Sequence, residues 1–181
     1  EYGAQRRLFF NIIACPTKCP MCKAQMDTKC NHAIMCPVGG DMDKRHNGLG
    51  ALTGEEAKLG AGTQVEYEHH GFLEGESKDR PGDVAILAAE DSRWQLFDWN
   101  VVNSAAKSYR DHVLSGKLSS LREDAKFLRY ARMLDRRRVS FTPLIRWTGG
   151  RWGPLLDSTV KWLVKRRRER GATRHAKDQA T

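Results

Sequence analysis

The alternation of apolar and polar residues along the chain predicts four β-strands. Two apolar runs, DVAILAA (83–89) and WQLFDWNVV (94–102), are separated by the short polar connector EDSR. Runs rich in β-branched and aromatic residues are typical of strands, and so short a connector favours an antiparallel hairpin. The alternating segment QVEYE (64–68) predicts a strand before this hairpin, and VSFTPLIRWTGG (139–150) predicts a fourth strand after it.

Helical spacing predicts three helices, and the clearest helical pattern covers residues 120–138. Its apolar residues recur on one stripe, and its start fits a capping box of Ser120 with Glu123. The stripe consists of Phe127, Ala131 and Leu134. A last helix is predicted to open at Pro154, because proline is favoured in the first turn. Its apolar face consists of Leu156, Val160 and Leu163.

The segment 44–60 predicts only a marginal helix. Leu49, Leu52 and Leu59 share one face of it, but three interior glycines each cost roughly 1 kcal/mol relative to alanine. The predicted order of helices and strands is that of an α/β (α+β) fold, a small mixed β-sheet flanked by helices. We assign this core to residues 44–165, after a metal-binding module at 1–43 and before a basic tail at 166–181 that we expect to be disordered.

Charge is distributed unevenly along this basic chain, whose formal net charge is +9. Residues 55–98 carry eleven acids and four Lys or Arg, whereas residues 107–138 carry ten Lys or Arg and four acids. An acidic centre within a basic surface is typical of a protein that binds a polyanion and a metal ion. The sequence contains no run of 18 apolar residues, so we expect no membrane-spanning helix.

Two further features concern the chain's context in the cell. It begins with Glu1 rather than Met, and we therefore expect it to be part of a longer protein. The basic segment KWLVKRRRER (161–170) has the composition of a nuclear localisation signal and predicts a nuclear location.

All five cysteines lie near the N-terminus, in a spacing that predicts a zinc site. The quartet Cys19, Cys22, His32 and Cys36 combines a two-residue knuckle with a nearby His and Cys, which together complete a closed tetrahedral site. Four protein ligands leave no position for water, so the ion would be structural. Cys15 and Cys30 are alternative ligands, and Cys30 would take the place of His32 in an all-thiolate site. A secreted disulfide protein is less favoured, because its cysteines would be even in number and more spread out.

Two carboxylates are expected to face each other across the predicted hairpin. Asp83 begins one strand and Asp98 lies near the end of the next. Two acids this close repel unless a cation lies between them, and Mg²⁺ prefers such oxygen ligands. A further candidate acid is Glu68 on the preceding strand, where Glu66 lies on the same face. Lys126 lies on the helix predicted at 120–138, and its long side chain can reach the sheet edge.

The order of these motifs resembles a known nuclease family. CPMC…NHAIMC (19–36) is followed by RHN (45–47), RPGD (80–83), Asp98 and KFLRY (126–130). The chain resembles the restriction-like endonuclease found at the C-terminus of site-specific non-LTR retrotransposon reverse transcriptases, whose fold belongs to the PD-(D/E)XK superfamily. The resemblance covers the chain from about residue 19 to residue 141. In the family a zinc knuckle precedes the nuclease, and its activity is Mg²⁺-dependent nicking of target DNA.

The resemblance implies roles for the matching residues. The quartet matches the family's knuckle, Asp83 and Asp98 match its metal-binding acids, and Lys126 matches its helix-borne lysine. The resemblance implies a catalytic Mg²⁺ or Mn²⁺ ion, DNA or RNA as partner, and a reverse transcriptase as the rest of the polyprotein. Residues expected at the nucleic acid are Arg45, His46, Arg80, Arg129 and Tyr130. Gly82 stands between the Pro and the Asp of RPGD, and Asn100 replaces a hydroxyl residue that often follows the second acid.

Two functions remain open from the sequence. The first is a metal-dependent DNA endonuclease that uses Asp83, Asp98, Lys126 and Glu68. The second is a zinc-containing module that binds nucleic acid through Lys and Arg without cleaving it.

Overall fold

The protein consists of a small Cys-rich module followed by a mixed sheet with helices on both faces. A computed structural model describes residues 11–39, 41–61, 64–68, 72, 80–87, 93–130, 134–135 and 138–178. The N-terminal module contains a two-stranded antiparallel hairpin, β1 (Thr17–Lys18) and β2 (Gln25–Met26), and the short helix α1 (Asn31–Met35). A long helix, α2 (Asp41–Ala61), leads from this module into the core.

The core is a four-stranded sheet in which the strands lie in chain order. Its strands are β3 (Val65–Tyr67), β4 (Val84–Leu87), β5 (Trp94–Val102) and β6 (Val139–Trp147). The first three strands are antiparallel, and β6 pairs with β5 in parallel. A parallel pair needs a crossover, and here the crossover contains a 3₁₀ turn (Lys107–Tyr109), α3 (Arg110–Leu114) and α4 (Leu118–Tyr130). The last helix is α5 (Pro154–Asp178).

The predicted mixed sheet flanked by helices is confirmed, including the antiparallel β4–β5 hairpin. Residue 84 pairs with residue 97 and residue 87 with residue 94. The strands are buried on both faces because side chains alternate between two cores. Val84, Ile86, Phe97 and Trp99 pack with residues of α2 and α5 on one face, whereas Ala85 and Leu96 pack near Tyr130 of α4 on the other.

Helix α2 is longer than predicted, and its contact face is the predicted one only in part. Leu52 and Leu59 are 61% and 52% exposed, whereas Thr53 and Ala57 are buried. The expected leucine face is therefore wrong at Leu52 and Leu59, but Leu49 packs against the core as predicted. Small residues on the buried face allow the backbones of neighbouring helices to approach closely. A Cβ atom added to Gly60 would lie 3.1 Å from the backbone nitrogen of Arg167 in α5. Gly60 thus allows α2 to pack closely against α5.

We expect Gly60→Val to lower the free energy of unfolding by about 1–3 kcal/mol, because overpacking forces the two helices apart. The measurement is chemical denaturation. The matched control is Gly48→Ala on the same helix, where an added Cβ meets no atom within 4 Å. This control should raise stability by about 0.5–1 kcal/mol through helix propensity. Equal effects of the two changes would contradict the close packing of α2 on α5.

Helix α4 begins earlier than predicted, so the expected capping box is wrong. Its first residue is Leu118, which places Ser120 inside the helix. Glu123 is buried, and its carboxylate accepts a hydrogen bond of 3.3 Å from the backbone N–H of Leu155 in the first turn of α5. Phe127, predicted to lie on the buried stripe, is 39% exposed, and Tyr130 is buried instead. Ala131, the middle residue of that stripe, lies outside the described residues.

The basic tail is helical as far as residue 178, which corrects the expectation of disorder from residue 166. This part of the helix contains ion pairs between side chains one turn apart, such as the pair of Lys165 Nζ and Glu169 Oε1 at 3.8 Å. Cross-helix contacts hold it further, because Arg167 donates to Glu56 at 2.9 Å and Arg170 donates to the Lys58 carbonyl at 2.7 Å. Glu56 and Lys58 belong to α2, so tertiary contacts order a segment whose composition alone predicts disorder.

Candidate functional site

The four predicted zinc ligands converge in the N-terminal module. The ligand atoms of Cys19, Cys22, His32 and Cys36 all lie within 4.8 Å of one another. Cys22 Sγ is 2.9 Å from His32 Nε2, and Cys19 Sγ is 3.7 Å from Cys36 Sγ. Three thiols and one imidazole within this distance form a donor set that suits Zn²⁺. The cluster can therefore hold a zinc ion, as the spacing predicts.

The alternative ligands lie outside this cluster. Cys15 is exposed, and Cys30 precedes α1 with a left-handed backbone conformation at φ 52°. Local backbone bonds shape the knuckle itself, because Cys19 N–H donates to the Ala24 carbonyl at 2.8 Å and Lys23 N–H donates to the Cys19 carbonyl at 2.9 Å. All five cysteines are free thiols in the structure.

Backbone donors prepare one thiol of the cluster for metal binding. The N–H groups of Cys22 and Met21 lower the pKa of Cys19 to about 6, against the opposing effect of burial. The Val38 N–H acts on the Cys36 thiol in the same sense, but burial and the thiols of Cys22 and Cys19 outweigh it and raise the Cys36 pKa. A cation at the centre of the cluster would favour both thiolates, since the thiolate is the metal-binding form.

The second candidate centre lies on the β4–β5 hairpin, where the sheet register brings two acids together. Val84 pairs with Phe97, and Asp83 N–H donates to the Phe97 carbonyl at 2.9 Å. Continuing the register by one residue places Asp83 opposite Asp98. The Cβ atoms of directly opposite residues are about 4.5–5.5 Å apart in an antiparallel pair. The register therefore places the two acidic side chains next to each other on one face of the hairpin.

Asp83 is held by two donors from different elements. The backbone N–H of Trp99 donates to its Oδ2 at 2.6 Å, and His46 Nε2 of α2 lies 2.9 Å from its Oδ1. The hydrogen bond to Asp83 raises the pKa of His46, and burial of the imidazole opposes this effect. Sequence reasoning missed the Trp99 contact, which depends on the strand register rather than on any side-chain pattern.

Gly82 has a packing role beside Asp83. It is buried, and an added Cβ would lie 3.2 Å from both the Phe97 carbonyl oxygen and Leu96 Cδ2. The inserted glycine of RPGD therefore lets the residue before Asp83 approach β5 closely.

Asp98 is paired with the lysine that the sequence assigns to the same site. Its Oδ2 lies 2.6 Å from Lys126 Nζ, and its side chain is only 7% exposed. Among the described residues this oxygen has the ion pair but no partner in hydrogen-bond geometry. Burial raises the pKa of Asp98, Lys126 lowers it, and the nearby Asp83 raises it further. The site thus places two carboxylates and a lysine in a poorly solvated position, where Lys126 offsets the charge of Asp98.

Lys126→Ala should destabilise the protein by up to about 3–5 kcal/mol, because it leaves a buried carboxylate without its partner. The pKa of Asp98 would rise further above its ordinary value of 3.8. A raised acid pKa means that the folded state binds a proton the unfolded state has released, so stability falls as pH rises through this window. The loss should therefore be larger at pH 8 than at pH 5 in denaturation experiments.

The matched control is Lys165→Ala, which removes a lysine that is 76% exposed and pairs with Glu169 on the same helix. It should cost less than about 1 kcal/mol, with little dependence on pH. Similar losses for both lysines would contradict a buried Asp98–Lys126 pair.

Glu68 and Arg80 lie beside this centre, and they contact each other. Both side chains are about half exposed, and Arg80 donates to the Glu68 carboxylate. Glu68 also lines a cleft of about 140 Å³ together with His46, Tyr67 and Asp83. Glu68 thus faces the same cleft as Asp83, and Arg80 neutralises part of its charge.

The other residues that we expected to contact nucleic acid do not share one environment. Arg45 donates to the Ile34 carbonyl of α1 at 2.7 Å, which links the Cys-rich module to α2. Tyr130 is 4% exposed and packs edge-on against Phe141 at 5.3 Å. The expected contact of Tyr130 with nucleic acid is therefore corrected, because its ring belongs to the core. Arg129 is exposed and lies 5.2 Å from the Tyr130 ring centroid.

No protein-family model matches this chain, and no curated protein does so at a significant level. Across the part of the chain that the structure describes, no helix has the length and apolarity needed to cross a membrane.

Proposed function

We propose that this chain is a metal-dependent DNA endonuclease domain of the PD-(D/E)XK type, which nicks DNA by phosphodiester hydrolysis. The observation that supports it best is the convergence of three elements on one carboxylate pair. Asp83 precedes β4, Asp98 lies on β5, and Lys126 of α4 contacts Asp98 at 2.6 Å. Residues that the motif order of a retrotransposon nuclease assigns to one site thus lie together.

The acid pair fits a Mg²⁺ or Mn²⁺ ion. Both are oxygen donors, and the pKa of Asp98 is raised by burial and by Asp83, so that a cation relieves an existing repulsion. Asp83 and Asp98 would hold the metal, with Glu68 nearest among the other acids of the cleft. When bound, such an ion polarises a phosphodiester and lowers the pKa of water.

The chain's own groups have separate roles in this proposal. Lys126 Nζ carries a positive charge close to where a phosphate would meet the acids, and it stabilises the charge that develops on the phosphate oxygens. The Trp99 N–H and His46 hold the Asp83 carboxylate in one orientation. Water is partly excluded on the Asp98 side, where the Lys126 and Asp98 side chains are 18% and 7% exposed.

The rest of the chain supplies nucleic-acid contacts in this proposal. The zinc knuckle supports α1, and Arg45 joins it to α2 one residue before His46. Exposed basic side chains of α5, such as Lys165 and Arg168, suit DNA phosphates. We further propose that the domain belongs to a reverse-transcriptase polyprotein that acts in the nucleus.

The second candidate is a zinc-containing nucleic-acid-binding module without catalytic activity. One observation favours it, namely that Lys126 already neutralises Asp98 without any metal. Such a site is stable on its own and would survive the loss of catalysis.

A plasmid-nicking assay distinguishes the two. Zinc-loaded protein is incubated with supercoiled DNA in buffer without added metal, with Mg²⁺ and with Mn²⁺. The endonuclease predicts open-circular product only in the metal-containing reactions. Salt-sensitive DNA binding without product in either metal would overturn the endonuclease and favour the binding module.

A further inference from the structure

A second pocket lies away from the acidic centre, at the carboxyl ends of the two parallel strands. Its volume is about 360 Å³, and it is bounded by the loops that follow β5 and β6 and by the Cys-rich module. In open α/β sheets, ligands favour this end of parallel strands. The side chains that matter here are Lys29, Asn31, Ser104, Val113, Trp147 and Arg151.

Hydrogen bonds between the two loops hold the pocket in shape. Thr148 N–H donates to the Val102 carbonyl at 2.9 Å, and Ser104 N–H donates to Thr148 Oγ1 at 3.3 Å. Gly150 has φ 92°, a conformation that glycine adopts without strain, and it closes the turn after β6. These bonds tie the two loops to each other across the end of the sheet.

The wall of the pocket combines an aromatic ring with positive charge. The Trp147 indole is fixed by its Nε1, which donates to Ser119 Oγ at 2.9 Å. The Arg151 guanidinium lies 4.8 Å from the centroid of this ring. Lys29 adds a second cation from the Cys-rich module, and the described lining residues include no carboxylate. A ligand that suits this wall has a flat apolar part and an anionic part.

We propose that this pocket binds one unpaired nucleotide of a single-stranded nucleic acid. The base would pack against Val113 and the small exposed part of Trp147, which is 6% exposed, and the phosphate would pair with Lys29 and Arg151. Pockets of this volume are large enough for a small ligand such as a nucleotide. A duplex cannot offer an unpaired base, so the proposal is specific to single strands. This inference rests on the proposed function, because the proposed function is what identifies the ligand as a nucleic acid.

The location of the pocket agrees with this assignment. Val102 is the fourth residue after Asp98 on the same strand, so the two side chains lie on the same face of the sheet. At about 3.3 Å per residue, the loop at Ser104 lies roughly 20 Å along the strand direction from Asp98. A nucleic-acid strand held in the pocket would therefore lie on the same face of the sheet as Asp98, about 20 Å from it.

The test measures binding of a short fluorescein-labelled oligothymidylate to the zinc-loaded chain without Mg²⁺, so that no cleavage occurs. Arg151→Ala and Lys29→Ala should each raise the Kd about tenfold, as should Gly149→Val, which narrows the pocket without changing charge. Lys18→Ala and Arg110→Ala are the matched controls, because both residues are basic, exposed and outside the pocket. These controls should change the Kd less than about threefold.

Competition then identifies the ligand. Thymidine monophosphate should displace the probe at concentrations at least about tenfold below those needed for inorganic phosphate or thymidine alone. Equal effects of pocket and control variants would overturn the pocket assignment, and equal competition by phosphate would overturn the nucleotide assignment. A labelled duplex that is equally sensitive to the pocket variants would overturn the single-strand assignment. The variant Kd values, the competition and the duplex comparison can all be measured even if the chain does not nick DNA. Failure of the pocket proposal can therefore be distinguished from failure of the proposed function.

Discussion

Asp98→Asn should reduce Mg²⁺-dependent nicking at least about a hundredfold. The change removes one of two expected metal ligands, and a bound metal contributes several kcal/mol of transition-state stabilisation, with each 1.36 kcal/mol corresponding to a tenfold change in rate. Asp83→Asn should have a similar effect, because it also loosens the contacts to Trp99 and His46. The rate of conversion of supercoiled plasmid to open circle measures both effects.

The control for this prediction is Asp111→Asn, which neutralises an exposed acid on α3. It should nick at the wild-type rate. DNA binding and the denaturation midpoint are measured for every variant, so that a loss of folding is recognised. Wild-type cleavage by both Asp83→Asn and Asp98→Asn would contradict the assignment of the acid pair.

Removing zinc should unfold the Cys-rich module. Structural zinc sites in small zinc-finger peptides bind with about 10–16 kcal/mol of apparent free energy at neutral pH, and most of that is folding free energy. Cys36→Ser should therefore lose the ion and the contacts around α1, including the bond from Arg45 to the Ile34 carbonyl. Native mass spectrometry should find one zinc per wild-type chain and none in the variant.

Cys15→Ser is the matched control, since Cys15 is exposed and lies outside the cluster. It should retain one zinc, as should Cys30→Ser. Zinc loss from Cys30→Ser but not from the His32→Ala variant would show that Cys30 takes the place of His32. One zinc retained by Cys36→Ser would contradict the proposed quartet.

Local patterns predicted the parts of the fold that depend on near neighbours. The β4–β5 hairpin follows from two apolar runs and a short connector, and the zinc quartet follows from spacing within 18 residues. The buried faces of α2 and α4 follow less closely from local patterns. Leu52 and Leu59 are exposed and Tyr130 is buried, because burial depends on which neighbouring helix or strand each face meets.

The sequence by itself determined the order of the main elements, the four residues that could hold a zinc ion, and the identity of two acids and a lysine as candidates for one site. These features depend on periodicity and residue chemistry, which are local properties. Tertiary structure decided the Lys126 to Asp98 contact, the support of Asp83 by Trp99 and His46, and the pocket formed by Lys29 with Arg151. Each of these joins residues from different elements, and only the packing of sheet and helices brings them within reach.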